Sequence, residues 1–136
     1  MAKATLLGSA EMREEGNEGG SPVEFVSRLL DAATAIRKVH LMTTGPGSYA
    51  AHEALADVYA ALEGHADGLA EAYMGCQQTG ITFPGVNAAF GAETRKIYEW
   101  IEMNRDMIGY ESHIQNKVDE LLDQLATALF KLDRLA

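Results

Sequence analysis

SYAAHEALADVYAALEGHADGLAEAYM, residues 48–74, decides the fold of this 136-residue chain. Leu55, Val58, Tyr59, Leu62, Ala66, Leu69 and Tyr73 recur at intervals of three and four, the period of one helix face. Ser48 or Gly47 opens the helix, and Gly75 predicts its end after Met74. Gly64 and Gly68 inside it each cost about 1 kcal/mol of helicity relative to alanine. Small residues four apart also permit another helix to come close.

Upstream, Ser21-Pro22-Val23-Glu24 is a helix start: a capping serine, proline at the first helical position and a glutamate completing a capping box. Val26, Leu29, Leu30, Ala33, Ile36 and Val39 follow at helical spacing, and Thr43-Thr44-Gly45-Pro46-Gly47 ends this first helix just beyond His40. Downstream, residues 75–91 contain Pro84 and several glycines and read as irregular, with room for a short helix. A third helix is predicted from about Ala92 to Ile108, with Ile97, Trp100, Ile101 and Met107 inward and Gly109 as its stop. The fourth starts near Ser112 and carries Ile114, Val118, Leu121, Leu122, Leu125, Leu129 and Leu132, the cleanest amphipathic repeat in the chain. The expectation is an all-α, four-helix bundle over residues 21–136, with a long connection between the second and third helices that can cross the bundle. Residues 1–20, with the glycine- and glutamate-rich stretch Met12–Gly20, read as a flexible acidic arm with a local turn at Thr5–Leu7.

The bulk numbers exclude several classes. One domain of this length buries a core without a staple. No apolar run is long enough to span a membrane, and the N-terminus lacks a secretory layout. Cys76 is the single cysteine, so no disulfide forms within the chain, and a reducing, cytoplasmic compartment is expected. A formal net charge of −9 argues against a phosphate-binding surface and suits a protein that concentrates cations. No phosphate loop, nucleophile elbow or paired-cysteine zinc pattern is present.

The chemistry lies in His40, His52, Asp67 and Glu71, residue types that bind hard or borderline metals. His52 and Asp67 are fifteen residues apart, about 22 Å along one helix axis, so no single ion touches both. They are only about 60° apart in azimuth and so face roughly the same way. Two copies of that helix, antiparallel about a twofold axis, bring the histidine end of one to the carboxylate end of the other. Glu63, Asp67 and Glu71 form an i, i+4, i+8 row, so Glu63 is a further candidate ligand. Taken singly, a histidine at a helix end is more often a cap or surface group, and two carboxylates a turn apart an ordinary solvated face. His65 and His113 have no partner at ligand spacing, and no base partner for Cys76 is identifiable. A Glu-x-x-His motif, which would build a site inside one bundle, is absent.

His40-Leu-Met-Thr-Thr-Gly45, His52-Glu-Ala-Leu-Ala-Asp57 and Asp67-Gly-Leu-Ala-Glu71 resemble the core of the Dps family, the miniferritins of the ferritin-like superfamily. Positions 40, 45, 52, 67, 70 and 71 match the family pattern, over roughly residues 22–75. The resemblance implies a ferroxidase centre at a dimer interface, with His40 and His52 of one subunit facing Asp67 and Glu71 of its twofold mate. It implies iron as the metal, with zinc or manganese able to take the same site. It also implies a hollow dodecamer that oxidises Fe(II), stores ferric mineral and protects against peroxide.

The chain departs from the family in three places. Ala56 stands where the family usually has an aspartate four residues after the second histidine, and Leu41 stands where a tryptophan is common. Asp57 is adjacent but about 100° round the helix, leaving Glu53 or Glu63 to compensate. The lysine-rich DNA-binding tail is missing, since the first twenty residues hold only Lys3 and Arg13 as basic groups, so DNA binding is not expected. The chain also looks like short Dps-like proteins of tailed phages. That likeness carries the alternative expectation: a catalytically silent ferritin-like structural or interaction protein of a phage particle, acting in the host cytoplasm.

Overall fold

The computed structural model describes residues 20–83 and 93–135. Among them the protein is all-helical: α1 (Pro22–Met42), α2 (Tyr49–Gln77), α3 (Thr94–Asn104), a 3-10 turn (Arg105–Ile108) and α4 (Ser112–Arg134). The predicted N-terminal arm through residue 19, with its turn at Thr5–Leu7, lies outside the described residues, as do Pro84 and Ala92.

Local signals set most of the boundaries. Ser21 Oγ accepts the Glu24 amide N–H at 3.1 Å with Pro22 at the first helical position, so α1 begins where its cap dictates. The Glu24 carboxylate turns to Arg28, 3.6 Å away. Between α1 and α2 the chain reverses through Gly45 at φ 102° and Gly47 at φ 76°, backbone conformations that side chains disfavour. Ser48 closes this turn by donating both its hydroxyl (2.6 Å) and its amide (3.2 Å) to the Gly45 carbonyl.

Two boundaries differ from the sequence reading. Helix α2 does not stop at Gly75 but continues to Gln77, because Gly75 keeps ordinary helical geometry. The stop is Gln78, in the left-handed region at φ 52°, with the Thr79 amide reaching back to the Met74 carbonyl at 3.2 Å. At the other end of the connection, the helix predicted to Ile108 tightens to 3-10 after Asn104. Gln115 explains the tightening: its side-chain amide donates to the Arg105 (2.9 Å) and Gly109 (2.6 Å) carbonyls, while its Oε1 accepts from Arg105 Nε at 2.6 Å. That clamp satisfies carbonyls the helix leaves open and holds Ile108 in the core.

Contacts along the helices fix their directions. His40 meets His52 and Arg37 meets Glu63, so α1 and α2 are antiparallel. Cys76 meets His113, His65 meets Glu120 and Asp57 meets Lys131, so α2 and α4 are antiparallel too. Arg95 with Asp133 and Arg105 with Asp119 make α3 antiparallel to α4. It follows that α2 and α3 run the same way.

The core is one cluster in which Leu55, Val58, Leu62, Ala66 and Leu69 of α2 lie between α1 and α4. Phe25, which the sequence reading did not count inward, is fully buried and stacks on Trp100 at 5.5 Å between centroids. Leu30, Val39, Met107 and Leu132, expected inside, are only partly buried at its edge.

Leu62 is fully buried on the middle turn of α2. Leu62→Ala is expected to lower stability by about 2–5 kcal/mol in urea unfolding. Exposed Glu71→Ala on the same helix is expected to stay within about 0.5 kcal/mol of wild type. Equal midpoints for the two variants would contradict this placement of the core.

Candidate metal centre

The α1–α2 corner brings His40 and His52 together, although each alone is a commonplace helix-end residue. Their rings stack at 3.8 Å between centroids with planes 22° apart. Each is tied to the other's backbone: His40 Nδ1 lies 2.9 Å from the His52 carbonyl, and His52 Nδ1 lies 3.1 Å from the His40 carbonyl. A carbonyl oxygen only accepts, so both Nδ1 atoms carry the hydrogen, and in the neutral form of each ring the lone pair is on Nε2. Fixing the tautomer through one ring nitrogen is how proteins prepare the other as a metal ligand. Both rings are half-buried.

Tyr59 and Arg37 extend the corner. Tyr59 meets the His40 ring edge-on at 5.3 Å, and the Arg37 guanidinium lies over the tyrosine face at 4.3 Å. Arg37 Nη2 then donates to both carboxylate oxygens of Glu63, at 3.2 Å each. Glu63 is therefore the counter-ion of Arg37 in this subunit. Tyr59 was legible as a neighbour, since seven residues after His52 is two turns along the same face. Arg37 was not, because its partner lies on another helix.

Asp67 and Glu71 stand exposed on the outer side of α2 toward its far end. They share the unbroken helix with His52, so the axial separation of about 22 Å between His52 and Asp67 stands. Among the described residues, no three His, Cys, Asp or Glu side chains converge where one ion could sit. The subunit thus presents a paired imidazole end and a carboxylate end. Around the imidazole end Leu41, Met42 and Tyr49 are exposed, at 69%, 70% and 75%.

Gly64 and Gly68 do not bring another helix close within the subunit. A Cβ at Gly64 would meet nothing within 4 Å, and at Gly68 only Lys117 Nζ at 3.9 Å. Both instead line an open groove of about 610 Å³ between α2 and α4. His65 sits in that groove, donating Nδ1–H to the Ala61 carbonyl at 3.0 Å, with Nε2 3.8 Å from Glu120. At the C-terminal end of α2, Cys76 does have a base partner: its Sγ lies 3.7 Å from His113 Nε2.

The profile of a family of unknown function (DUF5856) matches residues 40–132. The chain belongs to that family. The DUF5856 match begins at His40 and includes His52, Glu63, Asp67 and Glu71, together with Cys76 and His113. No curated protein and no solved structure matches the chain. No helix among the described residues is long and apolar enough to cross a membrane.

The reciprocal histidine pair has a direct spectroscopic test. Long-range proton–nitrogen correlation spectra of the neutral imidazoles are expected to report Nδ1–H for both His40 and His52. An Nε2–H tautomer at either residue would refute the bracket.

Proposed function

We propose that this protein is a Dps-like miniferritin subunit: a ferritin-like bundle that binds and oxidises Fe(II) at a site shared between two subunits. The observation that carries the reading is the His40–His52 bracket, which presents two imidazole Nε2 lone pairs with their tautomers already set. The parallel α2 and α3, joined by a long connection, support the ferritin-like part of the reading. Imidazole with carboxylate is a donor set suited to iron, with zinc or manganese as competitors.

A twofold mate is the source of the missing donors. Midway between His52 and Asp67 lies the step from residue 59 to 60, and midway between His52 and Glu71 the step from 61 to 62. Ala56, Ala60 and Gly64 occupy the ligand side of α2 around that point, and Ala60 and Gly64 are exposed. Two antiparallel α2 helices can therefore approach closely where the shared site needs them to cross. Exposed Lys38 beside the histidine corner then faces the acidic Asp67–Glu71 end of the mate, a favourable charge pairing. Leu41, Met42 and Tyr49 would be covered in the same contact. Ala56, on this reading, is a packing residue of the crossing as well as a missing carboxylate.

Iron enters as substrate. Two imidazoles from one subunit and Asp67 and Glu71 from the other hold ferrous ions with positions open to oxidant. Peroxide accepts one electron from each of two ferrous ions and leaves, with two protons, as two waters. Twelve subunits enclosing a cavity would store the ferric product, and the net charge of −9 suits a shell that draws cations inward.

A second reading rests on Ala56 and on the commitment of Glu63 to Arg37, which leave Asp67 and Glu71 as the carboxylates of the constellation. It makes the protein a catalytically silent bundle with a structural or interaction role, as in a phage particle.

Anaerobic Fe(II) mixed with peroxide is expected to give ferric absorbance faster than the buffer control, and no acceleration defeats the enzyme reading. His52→Ala and Glu71→Ala assemblies should each be impaired, while subunits of the two mixed together should recover part of the activity. Recovery of none counts against the shared site. The native mass should correspond to twelve chains, and a monomeric particle would overturn the cage. Duplex DNA should show no retardation at moderate salt, consistent with the acidic chain.

A further inference from the structure

Cys76, on the last turn of α2, and His113, on the first turn of α4, face each other with Sγ and Nε2 3.7 Å apart. We propose that this pair is a binding site for a thiophilic divalent cation of the zinc class, separate from the histidine corner. The separation is the argument. With a metal–sulfur bond of about 2.3 Å and a metal–nitrogen bond of about 2.0–2.1 Å, two donors at a tetrahedral angle sit about 3.6 Å apart. The two side chains, in hydrogen-bond contact, already stand at the separation a shared ion requires.

Their backbones are held there by neighbours. Gln77, next to Cys76, donates its side-chain amide to Glu111 Oε2 at 3.2 Å, which pins the start of α4 to the end of α2. Both donors are reached from solvent. Binding transfers the thiol proton to solvent and forms a thiolate–metal bond, while the neutral imidazole contributes its Nε2 lone pair. No electron moves. Two protein donors leave the other positions to water, so the bound ion exchanges. Thiolate selects a softer metal than the imidazole–carboxylate set of the proposed iron site.

Co²⁺ added to the reduced full-length protein without oxygen is the probe. A thiolate-to-cobalt charge-transfer band is expected, saturating at one ion per chain and displaced by Zn²⁺. Cys76→Ser should abolish it, and His113→Ala should weaken binding by roughly tenfold or more. His52→Ala should leave it unchanged, so failure here and failure of the iron site are read separately. Circular dichroism checks that each variant is folded. Zn²⁺ should also slow alkylation of Cys76 by iodoacetamide. Absence of the band in wild type, equal affinity in His113→Ala, or alkylation indifferent to Zn²⁺ would each overturn the proposal.

Discussion

Leu55, Val58, Leu62, Ala66 and Leu69 form one continuous apolar row on α2, and α1 and α4 are both held against it. Each large side chain in that row contributes about 1.5–3 kcal/mol by leaving water. The ion pairs at the surface, such as Arg95–Asp133 and Lys131–Asp57, contribute about 0–1 kcal/mol each. The apolar row therefore sets the arrangement, and the polar contacts record it. Because α2 is antiparallel to both neighbours, every residue on its outer side inherits a position from this burial.

That constraint also limits the chemistry of one subunit. An unbroken helix from Tyr49 to Gln77 is a rigid spacer, and it keeps the imidazoles and the Asp67–Glu71 pair at different levels. Neither end completes a coordination sphere alone. On the proposed reading completion needs a second body, and the exposed small residues at Ala60 and Gly64 leave room for one. Arg37 acts in the opposite sense, since it neutralises Glu63 inside the subunit and removes it from the free donors.

The four helices were legible in the sequence because each carries its own period and its own punctuation. Ser21, Pro22 and the Gly45–Gly47 turn placed α1 and the corner within a residue or two. Gly75 misled, since glycine ends a helix only where the backbone turns left-handed, and Gln78 takes that conformation instead. The 3-10 turn at Arg105–Ile108 was not legible, because its cause is a side chain ten residues away, Gln115. The same holds for the site. Spacing put His52, Asp67 and Glu71 on one side of α2 and left His40 at the corner, but the stacking of two rings and their crossed carbonyl bonds depend on the turn's shape. Cys76 and His113, thirty-seven residues apart on different helices, carried no local signal of their contact.

The crossed bonds between His40 and His52 have a thermodynamic consequence. They fasten the C-terminus of α1 to the N-terminus of α2, and the same rings offer Nε2 to a ligand. Anything that binds those lone pairs in the folded protein alone pulls the folding equilibrium with it. A ligand at a hundred times its dissociation constant adds about 2.7 kcal/mol to stability. If the proposed metal site is there, occupancy and the integrity of the hairpin are a single linked equilibrium, and melting temperature would follow metal supply.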